Sequence, residues 1–375
     1  MTKSDDKRVP ALRFKGFTDE WEQRKLGHTI KYIGTGKSKC NDKSTGKYKI
    51  LGSTGVIGYS NHYDYDGDFI LAARVGENAG KLYRHSGKVK ITDNTVFIQG
   101  PQLNFIYYLL SNFDLKKLSF GSGQPLIKAS ELKKLFLNFP ITSIERKNIG
   151  IIFNKLECIL SLQQRKLKDY SLIKKKLSNI FFNDTIVNQN NFLFKHRVKA
   201  SQLFISFSKK GFVHLPVLSA SQDKGMIFRE DESKNILYAH NNLTNYKLVE
   251  PDDFVVHLRS FQGGFAYSDK TGIASPAYTI FKFKDDVDYN PVYWKEKFKS
   301  YNFIQLLKKV TYGVRDGRSI SFSDFLSLYL TFPDIEIQNK IGSALSKLDT
   351  QISDQKKIIK KLENVKQFLL QNMFV

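Results

Sequence analysis

Two short motifs in the sequence resemble parts of nucleotide-handling sites, and each lacks a residue that its chemistry needs. The run GTGKS at 34–38 ends like a phosphate-binding loop, but Lys31 stands where that motif requires its first glycine. Without that turn, backbone N–H groups cannot surround a phosphate. The run NPVY at 290–293 shares a pattern with the tetrapeptide that holds a flipped adenine, but it lacks the second proline and an accompanying glycine-rich loop. We expect an ordinary loop there.

The acidic, histidine and cysteine residues complete no metal site. Pro333-Asp334 followed by Asp354-Gln355-Lys356 has a nuclease-like spacing, but the second group falls within a predicted long helix. The histidines show neither HxxxH nor HExxH spacing. Cys40 and Cys158 have no CxxC partner, so we expect reduced, packed thiols. The sequence therefore predicts no catalytic residue, metal ligand or cofactor in this chain.

The composition favours a globular protein that binds a polyanion. The 375 residues carry 59 Lys and Arg against 36 Asp and Glu, a formal net charge of +23, with 13% aromatic residues. Such a field, spread along the chain, is typical of a nucleic-acid-binding surface. No apolar run is long enough to span a membrane and the start lacks the apolar stretch of a signal peptide, so we expect a cytoplasmic protein without a membrane partner.

The chain repeats itself once, at a separation of 192–193 residues. The stretch SELKKLFLNFP at 130–140 matches SDFLSLYLTFP at 323–333. Each indicates a turn, an apolar strand and a proline before a long helix. Strand-like runs in the two halves also correspond, with Leu51 matching Leu218, Arg74 matching Arg259 and Ile91 matching Ile273.

The segment after each proline carries an apolar seam of heptad spacing, which predicts two long helices packed on each other. The same polar residues interrupt both seams, Gln163 and Lys174 in the first and Gln355 and Lys366 in the second. We expect helices of roughly 33 residues, about 50 Å long. The apolar seam residues are Ile149, Phe153, Leu156, Leu160, Leu167, Tyr170, Leu177 and Phe181 in the first helix, and Ile341, Leu345, Leu348, Ile352, Ile359, Leu362, Leu369 and Met373 in the second.

The two seam lysines favour an antiparallel pairing of these helices. A parallel pairing in common register would bury Lys174 against Lys366 with no counter-charge. An antiparallel pairing separates them and also lets the second helix return the chain. The predicted fold class is α+β: two small mixed α/β domains separated by two long helices that form an antiparallel coiled coil, with a pseudo-twofold internal repeat.

The predicted domains follow from the repeat. An N-terminal segment covers 1–19, the first domain 20–140 and its helix 141–185. The second domain covers 186–335 and its helix 336–375.

Three features give the sequence a family resemblance. The opening PALRFKGFTDEWEQRKLG at 10–27, the run FGSGQPLIKASEL at 120–132 and the repeated strand, proline and long helix resemble the specificity subunit of type I restriction-modification enzymes across essentially the whole chain. The second half departs from this pattern, with YGVRDGRSISFSDF at 312–325 in place of the GSGQP version and no close copy of the opening motif.

The resemblance implies a non-catalytic DNA reader with two target recognition domains, each reading one half of a bipartite, asymmetric site in double-stranded DNA. The paired helices would set the gap between the half-sites and dock two methyltransferase (modification) subunits. Those subunits would bring S-adenosylmethionine and methylate adenine. Restriction subunits would add translocation and cleavage with ATP and Mg²⁺.

Candidate DNA contacts follow from the chemistry of base edges, since arginine pairs with guanine in two hydrogen bonds and asparagine or glutamine with adenine. Lysines near glycine-bounded turns are better placed for phosphates. The predicted base contacts are Arg74, Asn94 and Gln124 in the first domain and Arg259, Gln262, Arg315 and Arg318 in the second. The predicted phosphate contacts are Lys37, Lys39, Lys81, Lys209 and Lys210.

Two other classes of function stay open from the residues alone. A stand-alone DNA methyltransferase or nuclease would show activity in the purified chain with cofactor. A coiled-coil scaffold that binds only protein partners would show no salt-dependent DNA affinity.

Overall fold

The computed structural model describes residues 8–39, 45–118, 125–182, 196–221, 224–231, 240–256, 265–285, 287–308 and 321–375. The chain divides into two compact units. Unit 1 comprises Met1–Arg165 with Lys357–Val375, and unit 2 comprises Lys166–Lys356. Both units combine helices with mostly antiparallel sheets made from consecutive strands, so the predicted α+β class is confirmed.

Residues 8–181 of the described chain contribute nine strands and four α-helices, the last of which continues into unit 2, and the end of the last helix of the chain also belongs to unit 1. They are β1 (Glu22–Lys25), α1 (Leu26–Thr29), β2 (Tyr32–Thr35), β3 (Tyr48–Gly52), β4 (Gly55–Ser60), β5 (Asp68–Ala73), β6 (Leu82–Ser86), β7 (Val89–Ile91), β8 (Thr95–Gln99), α2 (Leu103–Asn112), α3 (Ala129–Lys134), β9 (Phe136–Phe139) and α4 (Ser143–Phe181).

Unit 1 is built in layers. Its larger sheet packs against helices on one face and against a smaller sheet on the other. The larger sheet is antiparallel, with the strand order β2-β8-β5-β6. The smaller sheet has the order β4-β3-β7, in which β3 and β7 are parallel. Strands β1 and β9 form a separate antiparallel pair. Side chains alternate across β5 because successive residues of a strand point to opposite faces. Ile70 and Ala72 pack toward the helices, while Phe69 and Leu71 pack toward the smaller sheet.

Unit 2 follows the same plan. Its elements are β10 (His196–Lys199), α5 (Ala200–Leu203), β11 (Phe204–Phe207), β12 (Val217–Ser221), β13 (Gly225–Phe228), β14 (Lys247–Val249), β15 (Phe254–Val256), β16 (Phe265–Tyr267), β17 (Gly272–Ala274), β18 (Thr279–Phe283), α6 (Pro291–Lys299), α7 (Tyr301–Lys308), α8 (Phe322–Ser327), β19 (Tyr329–Phe332) and α9 (Ile335–Asn372). The sheets have the orders β11-β18-β15-β16 and β13-β12-β17-β14, and β10 pairs with β19. Within the described residues, β14 and α7 are additions to the plan of unit 1.

The strand registers correct one correspondence in the repeat. Leu51 pairs with Ile91 in unit 1, and Leu218 pairs with Ala274 in unit 2. Leu51 and Ile91 share the core of unit 1 beside the smaller sheet, and Leu218 and Ala274 share that of unit 2, so Leu51 matches Leu218 and the counterpart of Ile91 is Ala274 and not Ile273. A shift of one residue reverses the face of a strand, and apolar identity alone does not reveal the face.

Two local predictions, of turns before β9 and β19 and of a loop at NPVY, were wrong. The stretches before β9 and β19 are helical, as α3 and α8, where turns were expected. The NPVY run begins α6 instead of forming a loop. The Asn290 side chain accepts a hydrogen bond from the Tyr293 backbone N–H at 2.8 Å, and Pro291 occupies the first turn. Both residues favour a helix start at these positions.

The two long helices, α4 and α9, contain 39 and 38 residues and so exceed the predicted 33. All sixteen apolar seam positions are buried or half-buried. In unit 1, the start of α4 packs beside the end of α9, with Ile149 and Phe153 in one cluster with Met373. In unit 2, the end of α4 packs beside the start of α9, with Leu177 near Ile341. The pairing is therefore antiparallel in each unit, as predicted.

The seam lysines are paired with acids of the opposite helix. In unit 1, Lys366 Nζ lies 2.8 Å from Glu157 Oε1. In unit 2, Lys174 Nζ lies 2.7 Å from Asp349 Oδ1. The offset of 192 relates Glu157 to Asp349 and Lys174 to Lys366, so the two ion pairs are counterparts in the repeat. Antiparallel packing thus supplies counter-charges as well as separating like charges.

The opening motif of the sequence has a structural role in unit 1. The Arg13 guanidinium donates two hydrogen bonds to the Glu145 carboxylate, at 2.7 and 2.9 Å, in the first turn of α4. The Leu12 N–H donates to the Asn372 carbonyl at 2.8 Å, and Trp21 is buried. These contacts attach the segment before β1 to the ends of both long helices.

A buried carboxyl group in unit 2 should make the free energy of unfolding depend on pH. Asp253 is 3% exposed, and burial raises its pKa from 3.8 to about 7. Between these two pH values the folded chain holds a proton that the unfolded chain has lost. The stabilising contribution is therefore complete below pH 3.8 and is lost as the pH rises through about 7, a change on the order of 2–4 kcal/mol.

Thermal unfolding midpoints measured from about pH 4 to 8 for the native chain and for Asp253→Asn test this expectation. The asparagine keeps the shape but not the charge, so it should gain stability over the native chain as the pH rises. Parallel curves for the two proteins would show that Asp253 does not titrate in this range.

Candidate nucleic-acid interface

Backbone hydrogen bonds connect five segments at one end of the layered domain of unit 1. The Gly36 N–H donates to Thr95 O at 3.0 Å, connecting the segment after β2 to the turn before β8. The Thr92 N–H donates to Leu51 O at 3.0 Å, which adds the turn between β3 and β4. The Gly76 N–H donates to Pro125 O at 3.2 Å, which adds the loops 74–81 and 125–127. Strand ends and loops form a continuous surface there.

The predicted DNA contacts of the first domain lie on this surface. Lys37, Lys39, Lys81 and Asn94 all have exposed side chains. They come from three different loops, so their meeting depends on the fold and not on their separation in sequence. Gln124 lies outside the described residues. The connected segments thus carry three exposed cations and one exposed amide, groups suited to phosphates and a base edge.

Arg74 also has a structural role, because it is hydrogen-bonded to the turn that carries Asn94. Its side-chain NH1 donates to the Asp93 carbonyl at 3.0 Å, and its backbone N–H donates to the Asn94 carbonyl at 3.0 Å. Its Nε is buried without a hydrogen-bond partner among the described residues. Gly76 and Gly80, at φ +83° and +87°, permit the tight loop that follows. Arg74 therefore holds the turn that displays Asn94.

Ser53 belongs to the same surface and was not predicted. Its hydroxyl donates to the Asn94 carbonyl at 2.9 Å, from the turn between β3 and β4. A serine between two strands is common in turns, so the sequence carried no signal for this contact. The carbonyl of Asn94 thus accepts from Arg74 and Ser53, which leaves the amide side chain exposed.

The second domain has a basic edge at the corresponding place, just after β11. Lys209 and Lys210 are exposed, and the Lys209 carbonyl accepts from the Leu248 N–H at 2.8 Å. This contact brings in Lys247, whose Nζ donates to the Tyr278 carbonyl at 2.6 Å. Burial and the nearby Lys210 lower the pKa of Lys247. The other predicted contacts, Arg259, Gln262, Arg315 and Arg318, lie outside the described residues.

The residues that could suggest other chemistry occupy ordinary structural positions. Residues 36–39 follow β2 without starting a helix. Asp334 Oδ1 lies 2.8 Å from His196 Nε2, while Asp354 lies within α9. Over the described residues, no cluster of three or more His, Cys, Asp or Glu side chains is arranged to hold a metal ion.

Two further expectations from the sequence concern the cysteines and a membrane. Cys158 is exposed on α4, so the prediction of a packed thiol was wrong for this residue, and Cys40 lies outside the described residues. Cys158 lies between the buried seam residues Leu156 and Leu160, on a face of α4 that points away from the seam. In the part of the chain that the structure describes, no helix is long and apolar enough to cross a membrane.

Comparison with known families gives a match to both halves of the chain. The model of the type I restriction modification DNA specificity domain matches residues 18–169 and again 192–364. The chain belongs to this family. The two matches coincide with the two copies of the layered domain, each followed by most of a long helix. The family resemblance of the sequence is thereby confirmed.

Relatives of known name support the assignment. Two proteins of Mycoplasma pneumoniae named as type I specificity subunits are 23% identical over 153 residues and 21% identical over 314 residues. The first alignment covers 38% of this chain and half the length of the relative. The second covers 80% of this chain and 89% of the relative.

A solved structure shares the fold. The S subunit of a type I restriction-modification system from M. genitalium has a TM-score of 0.68 and 14% sequence identity, and the match covers 98% of this chain and 99% of that one.

Proposed function

We propose that this chain is the sequence-specificity subunit of a type I restriction-modification complex. Each recognition domain reads one half of a bipartite DNA site, and the paired helices set the gap between the halves. The observation that carries the proposal is the duplication of one layered domain within the chain. Each copy packs on segments of the same two long helices, and these segments are antiparallel. The clustered basic and amide side chains of the first domain support direct reading of bases.

The proposal extends to partners that supply the chemistry. The chain itself is non-catalytic, and two methyltransferase subunits bring S-adenosylmethionine and methylate adenine. Restriction subunits bring ATP-driven translocation and cleavage with Mg²⁺, in the cytoplasm. The repeat supports a pair of identical partners, because duplicated surfaces can hold two copies of one subunit. The paired lysines and acids, related by the 192-residue offset, show that the duplication extends into the helices.

Reconstitution with the methyltransferase subunit tests this assignment. We expect the chain alone to bind DNA weakly and with strong salt dependence, because Lys and Arg contacts to phosphate release counterions. The complex should contain two methyltransferase subunits for each chain and should bind one bipartite sequence. Native mass measurement gives the stoichiometry, and binding selection gives the sequence. A complex with a single methyltransferase subunit would contradict the account of duplicated docking surfaces.

A further inference from the structure

One arginine of the first recognition domain is held by several groups of α2 and of the long helix α4 at once. Arg84 lies on β6 and its NH2 forms an ion pair with Glu157 of α4, while NH1 donates to Asn104 at 3.1 Å and also to Asn154. NH2 also reaches the Tyr108 hydroxyl at 3.4 Å. The guanidinium carbon lies 4.4 Å from the centre of the Tyr107 ring. Stacking and hydrogen bonds together fix the orientation of the planar group.

The acid that receives Arg84 connects the domain to both long helices. Glu157 also accepts a hydrogen bond from Lys366 of α9 at 2.8 Å. Burial alone would raise the pKa of Glu157, but hydrogen bonds from Lys366 and Tyr108 and the charge of Arg84 outweigh it, so the pKa is lowered. The carboxylate therefore remains charged and holds β6, α4 and α9 at one point.

The second domain uses the opposite charge at the corresponding junction. Tyr108 of α2 and Glu296 of α6 occupy equivalent positions in the two domains. Tyr108 lies six residues after Gln102, which precedes α2, and Glu296 lies six residues after Asn290, which precedes α6. Glu296 is 7% exposed, and its Oε2 lies 3.0 Å from Lys174 Nζ. In each unit, the paired segments of α4 and α9 thus present one acid and one lysine to the domain. The first domain contributes a cation to the acid, and the second contributes an anion to the lysine.

We propose that Arg84 is a positioning residue that fixes the first recognition domain on the helix pair, and thereby determines how strictly the gap between half-sites is enforced. Glu296 has the same role for the second domain. The inference rests on the proposed function. Neither residue belongs to the surface of Lys37, Asn94 and Arg74, so both should leave the bases that are read unchanged.

Geometry makes the gap sensitive to these junctions. A domain of about 100 residues extends roughly 20 Å from its attachment, so a rotation of about 10° displaces its far end by about 3 Å. One base pair of DNA occupies about 3.4 Å. A loosened junction should therefore allow half-sites that are one base pair closer or farther apart.

The test is a binding selection with the whole reconstituted complex, using DNA in which the half-sites and the gap length are both randomised. Arg84→Met removes the charge and keeps much of the side-chain length. We expect unchanged half-sites and an enrichment of gaps one base pair too short or too long by about tenfold, the effect of a loss near 1.4 kcal/mol. Glu296→Gln should broaden the gap in the same way.

Matched variants separate positioning from general stability. Arg24→Met removes an ion pair with Glu22 in which both partners are exposed, and it should leave the gap as narrow as in the native complex. Arg84→Lys keeps the charge and should recover part of the strict gap. Glu157→Gln is the milder second variant if Arg84→Met fails to fold, and it should also broaden the gap.

Two outcomes would overturn the inference while the proposed function stands. The first is a native-like gap in folded complexes of Arg84→Met or Glu157→Gln. The second is a change in the bases of one half-site, which would make Arg84 part of the reading surface. If the native complex selects no bipartite site, the proposed function fails and this inference fails with it.

Discussion

Removing residues 163–169 together with 355–361 is expected to shorten the gap between the half-sites by about three base pairs and to leave both half-site sequences unchanged. Seven helical residues at about 1.5 Å span about 10 Å, close to three base pairs at about 3.4 Å. A whole heptad is lost from each helix, so the seam stays in register. The segments begin at Gln163 and Gln355, which are counterparts in the repeat.

The position of this deletion is chosen from the ion pairs. It removes neither Glu157 with Lys366 nor Lys174 with Asp349, so both pairs can form in the shortened protein. The matched deletion of 156–162 with 348–354 removes the same length but includes Glu157 and Asp349. It should centre on the same shortened gap, but with a broader range of gaps and lower stability, because Arg84 and Lys366 lose Glu157 and Lys174 keeps only Glu296. Mapping of methylated adenines reports the gap in both cases.

A folded and active protein with an unchanged gap would show that the helices do not set the distance. Deletion of one segment alone is the negative control. It shifts one helix by a heptad against the other and leaves unequal lengths, so we expect loss of the complex and not a new gap.

Arg74→Ala should damage one half-site and leave the other readable. If Arg74 contacts a base, the loss is on the order of 1–3 kcal/mol and depends on the base at one position. Arg259→Ala should do the same to the other half-site. Binding selection with each variant in the complex measures the effect. A uniform loss across all sequences would instead identify these residues as phosphate contacts.

The structure adds a control, because Arg74 also supports the turn that carries Asn94. Asn94→Ala removes the exposed amide but keeps the carbonyl that accepts from Arg74 and Ser53. If Asn94 reads a base, this variant should affect the same half-site as Arg74→Ala with the turn intact. If only Arg74→Ala has an effect, the arginine contacts the base itself, whereas equal effects indicate that it acts partly through the turn.

The long helices could be predicted well because their signal is a repeated spacing. The heptad seams placed every apolar seam position in a buried or half-buried site, and the seam lysines gave the direction of pairing. The acids that neutralise those lysines were not predicted. Glu157 and Asp349 lie beside the seam, and their partners follow only from the register of an antiparallel pair.

Features that depend on three-dimensional proximity were harder to predict. The one-residue error at Ile273 arose because apolar residues occur on both faces of strands buried between layers. Arg84 gave no signal, since one arginine in a strand resembles any surface cation, and its partners come from α2 and α4. In contrast, Lys37, Lys39, Lys81 and Asn94 were chosen for their turns, and such turns meet at strand ends.

The central claim is that, within the complex, this chain and no other subunit determines which DNA sequence is modified. The most direct test is to map methylated adenines in cells that contain the methyltransferase subunit with this chain, with a chain carrying a foreign second domain, or with no specificity chain. We predict one bipartite motif with the native chain, a motif changed in only one half with the hybrid, and no motif without the chain. Methylation of the same motif in all three cells would contradict the account.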